Sequence, residues 1–167
     1  MKSGFVNIFG RPNAGKSRLL NALLQEKLAI VSPKVQTTRH RIKGILTRDD
    51  YQIIFSDTPG IIEPQYKLQE KMMLAVKQAL EDTDVALLLV DVNDNWEEVH
   101  VIFESLHLKA PAIVLINKTD TVKKEKLQEA ISFFSAKKYC TELLGISALK
   151  ATNTQELISL ILKHLPE

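Results

Sequence analysis

Phe5-Val6-Asn7-Ile8-Phe9-Gly10-Arg11-Pro12-Asn13-Ala14-Gly15-Lys16-Ser17-Arg18-Leu19-Leu20 passes from an apolar run, through a turn bounded by two glycines, into the first leucines of a helix. Its central eight residues fit the pattern G-x-x-x-x-G-K-[ST], set between a strand and a helix as that pattern requires. A backbone without side-chain bulk at Gly10 and Gly15 can wrap closely around an anion, aiming successive N–H groups and a helix N-terminus at phosphate. Arg11, Pro12, Asn13 and Ala14 complete the cradle. Lys16 is then expected at the β- and γ-phosphates, with the Ser17 hydroxyl on Mg2+. The bland alternative is a strand-to-helix turn that holds nothing. Two glycines at set positions, followed by Lys and Ser, make that a poor account.

Outward from this stretch, short apolar runs alternate with amphipathic ones. Phe5–Phe9, Ile53–Phe55, Val85–Val90 and Ala112–Ile116 read as strands, and their unbroken apolar character suits strands covered on both faces. Leu68, Met72, Ala75, Val76 and Ala79 make one helical stripe; Val99, Ile102, Phe103 and Leu106 make a second, and Leu127, Ala130, Ile131 and Phe134 a third. The last helix carries Leu157, Ile158, Leu160, Ile161 and Leu165, with Asn153 and Glu156 in capping-box positions and Pro166 as its stop. Ile42–Leu46 and Tyr51–Phe55, joined through Arg48-Asp49-Asp50, read as a hairpin that adds one antiparallel strand. The expected architecture is an α/β three-layer P-loop NTPase fold: a mostly parallel six-stranded sheet with one antiparallel strand and helices on both faces. Residues 1–167 are expected to form a single nucleotide-binding domain.

Two further segments fall at strand ends, where ligands bind in open α/β sheets. Asp57-Thr58-Pro59-Gly60 follows the run Ile53–Phe55; Asp57 is expected to hold Mg2+ through water, and Gly60 to bring its backbone N–H to the γ-phosphate. Asn117-Lys118-Thr119-Asp120 follows Ala112–Ile116. A carboxylate at Asp120 can accept from both N1–H and the 2-amine of guanine, which adenine does not offer in that arrangement. Sites of this kind discriminate by roughly 10⁴- to 10⁵-fold. The Lys118 stem is expected along the base face, and Asn117 is expected to tie this loop to the cradle. Ser147-Ala148-Leu149, after the apolar segment Leu143–Ile146, is expected to offer the Ala148 N–H to guanine O6.

Between the first helix and the hairpin lies a polar, aperiodic stretch, Ser32 to His40. A threonine there is expected to complete the Mg2+ shell and touch the γ-phosphate; Thr38 is the choice and Thr37 the reserve, because spacing does not separate them. The metal set is thus Ser17, Thr38 and Asp57. Lys34, Arg39, Arg41, Lys43 and Arg48 surround the same stretch and read as a solvated switch surface, with an RNA or phosphate partner as the alternative.

Composition agrees with a folded, water-exposed unit: 45% of residues are apolar and 25% charged, with a formal charge of +2 too small to indicate a nucleic-acid partner. Cys140 is the only cysteine, which excludes an internal disulfide and a cysteine-rich zinc cage. No run approaches the roughly 20 apolar residues of a membrane-spanning helix, and the N-terminus has no secretory pattern. A cytoplasmic protein is expected, at most peripheral to the inner membrane. The four histidines show no ligand spacing, and Trp96 and Cys140 are assigned to packing.

In their order and spacing the motifs GRPNAGKS, TTR, DTPG, NKTD and SAL resemble the translation-factor-like GTPases over the whole chain, and in particular the Era-like GTPases of bacterial ribosome assembly. Gln36 to Arg41, Asp57 to Ile61, and Tyr66 to Glu70 leading to Asp82 carry the narrower likeness. GTP and GDP as ligands, Mg2+ as cofactor and a monomer are expected, and the resemblance implies action on 16S ribosomal RNA in small-subunit assembly. It also implies an RNA-binding KH domain that this chain does not contain. The catalytic set expected is Lys16, Thr38 and Gly60, to which the resemblance adds Asn13, helping to hold K+ near the β- and γ-phosphates. Arg18 departs from the small hydroxyl residue usual in the family; its backbone N–H remains for the α-phosphate. Where Ras-type enzymes carry a water-orienting glutamine this chain has Ile61, so intrinsic hydrolysis is expected to be slow, on the order of 10⁻⁴ to 10⁻² s⁻¹. The rival readings are another bacterial GTPase of this class, an ATPase or small-molecule kinase, and an interaction module with negligible hydrolysis.

Overall fold

A computed structural model describes residues 2–10, 15–24, 28–29, 41–57, 81–117, 123–146 and 154–166. Seven strands, β1 (Lys2–Phe9), β2 (Leu28–Ala29), β3 (Arg41–Thr47), β4 (Tyr51–Asp57), β5 (Val85–Asp91), β6 (Ala112–Asn117) and β7 (Cys140–Gly145), form one sheet in the order β2-β3-β4-β1-β5-β6-β7. The described helices are α1 (Lys16–Leu24), α2 (Trp96–Ser105), α3 (Lys124–Ser135) and α4 (Thr154–His164).

The six expected strands are present, and β4, β1, β5, β6 and β7 run parallel. β3 is antiparallel to β4 across the turn at Arg48–Asp50, which closes with Arg48 N–H donating to Tyr51 O at 2.9 Å. A register shift between Ile42 and Gly44 marks a bulge in that hairpin. The two-residue strand β2, which adds a seventh member beyond β3, was not anticipated, because a strand that short leaves no period to read.

Every residue of β5 and β6 is buried, as their apolar sequences require. Alternation then sends side chains to opposite faces. Ile8, Leu87, Leu89 and Leu115 meet Leu19 and Leu23 of α1 and Leu157 and Ile161 of α4. On the other face Phe9, Leu88, Val90 and Val114 meet Val99 and Phe103 of α2 and Ala130 and Phe134 of α3. Phe9 and Phe103 pack edge to face at 5.5 Å. These are the expected layers. α2 begins where Asn95 Oδ1 accepts from Glu98 N–H at 3.1 Å, with Glu97 and Glu98 in its first turn beside the positive end of the helix dipole. Trp96 and Cys140 fill packing positions: Trp96 lies 6.0 Å from Phe133, and Cys140 packs against the α2–α3 face. The expected stripe Leu68–Ala79 and the cap Asn153 lie outside the described residues.

Candidate nucleotide-binding site

Strand register sets the carboxyl ends level along one rim of the sheet. Ile8 pairs with Asp57, Phe9 with Leu88, Asp91 with Asn117, and Ile116 with Gly145. The segments after Phe9, Asp57, Asn117 and Ile146 therefore leave the sheet on that rim, each carrying a motif singled out in the sequence.

Gly10 follows β1 directly. A Cβ on it would stand 2.9 Å from the Leu89 carbonyl oxygen, so β5 itself demands a glycine where the cradle begins. Gly15 closes the described part of the cradle at φ +99°, the left-handed region that favours glycine. Its carbonyl accepts from Leu19 N–H at 2.9 Å, which makes it the residue from which α1 starts. Lys16, Ser17 and Arg18 form the first turn of α1, whose amides face the N-terminal end of the helix, and that turn contains no acidic residue. α2, by contrast, places two glutamates at its own start. The positive end of α1 thus lacks a compensating carboxylate in its first turn, an arrangement suited to an anionic ligand. Arg18 itself is exposed, pointing away from the core that Leu19 and Leu20 enter.

Asn117 ends β6 and is only 3% exposed. Its amide nitrogen lies where it would be 2.5 Å from a Cβ on Gly15, so the start of the segment expected to read a base packs directly on the end of the loop expected to hold phosphate. The Asn117 carbonyl accepts from Val92 N–H at 3.3 Å, and that of Ile116 from Ile146 N–H at 2.8 Å, which links β5, β6 and the segment after β7 at the rim.

Asp57 is the last residue of β4 and Ser17 lies in the first turn of α1; nothing further is described of their side chains. Arg11, Pro12, Asn13, Ala14, Thr38, Thr58, Pro59, Gly60, Lys118, Asp120, Ser147, Ala148 and Leu149 lie outside the described residues. The chemistry of the donor set agrees with Mg2+, which prefers a few oxygen ligands together with phosphate. No cluster of three or more His, Cys, Asp or Glu suited to a metal occurs among the described residues.

One part of this rim escaped sequence reasoning. Asp91, 3% exposed, ends β5; its Oδ1 accepts from Asn93 N–H at 2.9 Å, and Asp94 Oδ2 accepts from Asp91 N–H at 3.1 Å. The signal was the polar run Asp91-Val92-Asn93-Asp94-Asn95 after Val90, which reads as ordinary turn chemistry. At the opposite rim a cavity of about 540 Å³ is lined by His100, Phe103, His107, Lys137 and Tyr139 among others, and no motif residue reaches it.

The sequence profile described as 50S ribosome-binding GTPase matches residues 5–118, which begins in β1, takes in the glycine cradle and ends beside Asn117. The chain belongs to this GTPase family. A GTPase Era of Clostridium perfringens (strain 13 / Type A) is 46% identical over 171 aligned residues, covering 99% of this chain and 57% of that protein. A GTPase Era of Clostridium botulinum (strain Hall) is 44% identical over 168 residues, with the same coverage of both chains. The chain thus spans somewhat over half the length of the curated relatives it matches. Among solved structures, Era in complex with MgGDPNP and nucleotides 1506–1542 of 16S ribosomal RNA superimposes with a TM-score of 0.78 at 41% identity, over all of this chain and 58% of that one. An Aquifex aeolicus Era variant bound to GDP.AlF4⁻ gives a TM-score of 0.77 at 40% identity, again over all of this chain and 58% of that one. The α/β fold expected from the motifs is therefore that of Era-type GTPases. No described helix is long and apolar enough to cross a membrane.

Proposed function

We propose that this unit binds GTP with Mg2+ and hydrolyses it slowly, acting as a monomeric, cytoplasmic switch in assembly of the small ribosomal subunit. The observation that supports the reading is the packing of Asn117, where the segment suited to guanine begins, against Gly15, where the segment suited to phosphate ends. Family membership and relatives solved with MgGDPNP and with GDP.AlF4⁻ support it. Lys16 and the first-turn amides of α1 would take the β- and γ-phosphates; Ser17, Thr38 and Asp57 would hold the metal; Gly60 would sense the γ-phosphate; and Asp120, Lys118 and Ala148 would read the base. Bound Mg2+ supplies charge neutralisation at the phosphates. The 16S ribosomal RNA seen with Era in one solved relative supports ribosomal RNA as partner of the full-length protein. Peripheral association with the inner membrane belongs to the same proposal.

With Ile61 in place of a water-orienting glutamine, the remaining transition-state stabilisation falls to Lys16, backbone donors and, in this proposal, a K+ ion held with help from Asn13. The test is single-turnover release of phosphate from GTP with Mg2+, in KCl and in NaCl, with ATP as competitor. Slow release that is faster in KCl and indifferent to ATP is expected. Competition by equimolar ATP would sink the guanine reading, equal rates in the two salts would remove K+, and no release at all would leave an interaction module.

A further inference from the structure

We infer that Asp91 is a positioning residue for base recognition, organising a turn that grips both flanks of residues 118–122. This inference rests on the guanine-reading role proposed above for that segment. Asp91 closes an otherwise apolar strand, and a carboxylate only 3% exposed is unfavourable unless its oxygens have partners. It has one in the Asn93 N–H, at 2.9 Å, while Asp94 N–H donates back to the Asp91 carbonyl at 2.8 Å. The reciprocal bond from Asp91 N–H to Asp94 Oδ2, at 3.1 Å, completes the closed turn. Trp96 Nε1 donates to the Val92 carbonyl at 3.1 Å and fixes the same turn to α2.

Besides the bond to α2, two contacts of the turn meet the described flanks of residues 118–122. Val92 N–H donates to the carbonyl of Asn117, the last residue before 118–122, at 3.3 Å. Asn93 Oδ1 accepts from Nζ of Lys126, in the first turn of α3 just beyond that segment, at 2.9 Å. The Asn117 side chain in turn rests on Gly15. One turn thus ties the entry and exit of residues 118–122 to each other and, through Asn117, to the phosphate cradle. Holding both flanks of a segment in place before the ligand arrives leaves less conformational entropy to lose on binding. Its aim matters most for the pair of bonds that only guanine accepts, because a carboxylate displaced from bidentate geometry loses one of them first.

The experiment compares affinities for GDP and for IDP, which lacks the 2-amine, in the native protein and in Asp91→Asn, Asp91→Ala and Lys126→Ala. Asp91→Asn keeps an Oδ1 acceptor and should retain the native GDP:IDP ratio. Asp91→Ala strands the Asn93 N–H and should weaken GDP on the order of tenfold while weakening IDP less, narrowing the ratio. Lys126→Ala, at an exposed side chain, should narrow it about twofold. A native ratio in Asp91→Ala, or equal loss of both nucleotides, overturns the inference. If Asp91→Ala shows no cooperative melt, Lys126→Ala carries the test alone, and an unchanged ratio there overturns it. A native protein that binds GDP and IDP equally would instead defeat the guanine reading itself.

Discussion

At Gly15 two separate demands meet. A φ of +99° is strained for any residue with a Cβ, by roughly 1–2 kcal/mol, and the Cβ would also stand 2.5 Å from the Asn117 amide nitrogen. Gly15→Ala should therefore destabilise the fold by about 1–3 kcal/mol and weaken GDP by at least roughly tenfold, because relief of the clash moves Asn117. A denaturant midpoint and a GDP titration on the same variant check both; native values in both would show that the cradle tolerates a methyl group. The motif pointed to glycine here, and to the helix that starts from it. It did not point to Asn117 as the neighbour, since packing between residues about a hundred positions apart leaves no trace in spacing. Gly10 repeats the lesson, because the atom nearest its absent Cβ is a β5 carbonyl oxygen. Asp91 was invisible for a different reason: an aspartate in a polar run is as common in turns that hold nothing.

Among the elements, strands were legible in their middles and obscure at their ends. Val85–Val90 and Ala112–Ile116 were read from apolar character alone, yet both ladders run one residue further, to the Asp91–Asn117 pair. β7 begins at Cys140, three residues before the apolar segment Leu143–Ile146, because an edge strand with half-buried side chains need not be apolar. Its approach also carries titratable groups. Burial, then the nearby Cys140, Glu104 and Glu97, hold the Tyr139 hydroxyl well above its ordinary 10.0. Burial and Glu142 push the Cys140 thiol above its ordinary 9.0. A raised pKa favours the protonated folded form, so this stabilisation is complete below those ordinary values and is lost as pH climbs through and beyond them. The urea midpoint should fall between pH 9 and 11, and fall less steeply in Tyr139→Phe/Cys140→Ala, although that variant starts lower for want of the 3.0 Å bond between Tyr139 and His100. Parallel slopes in the two proteins would count against this account.

For the molecule as a whole, the alternation of strand and helix was enough to give the layers, and the position of each motif at a strand end was enough to give the rim. What sequence did not supply was the lateral order of the strands, which only pairing reveals. A ligand gripping several loops of that rim stabilises the folded state by mass action, about 2.7 kcal/mol at a hundred times its dissociation constant. For a chain of 167 residues this corresponds to a rise in Tm of roughly 5–10 °C with GDP and Mg2+. ADP should give no shift and chelation should reduce the gain; equal shifts with ADP and GDP in a thermal melt would contradict a guanine site. Lys2 Nζ donates to the Leu162 carbonyl at 2.7 Å, so the start of β1 lies beside the last turn of α4. β1 then spans its eight residues, roughly 26 Å, before Gly10. A dye attached beside Lys2 or in the last turn of α4 would consequently sit a full strand's length from Gly10, far enough for labelled protein to report nucleotide exchange without obstructing it.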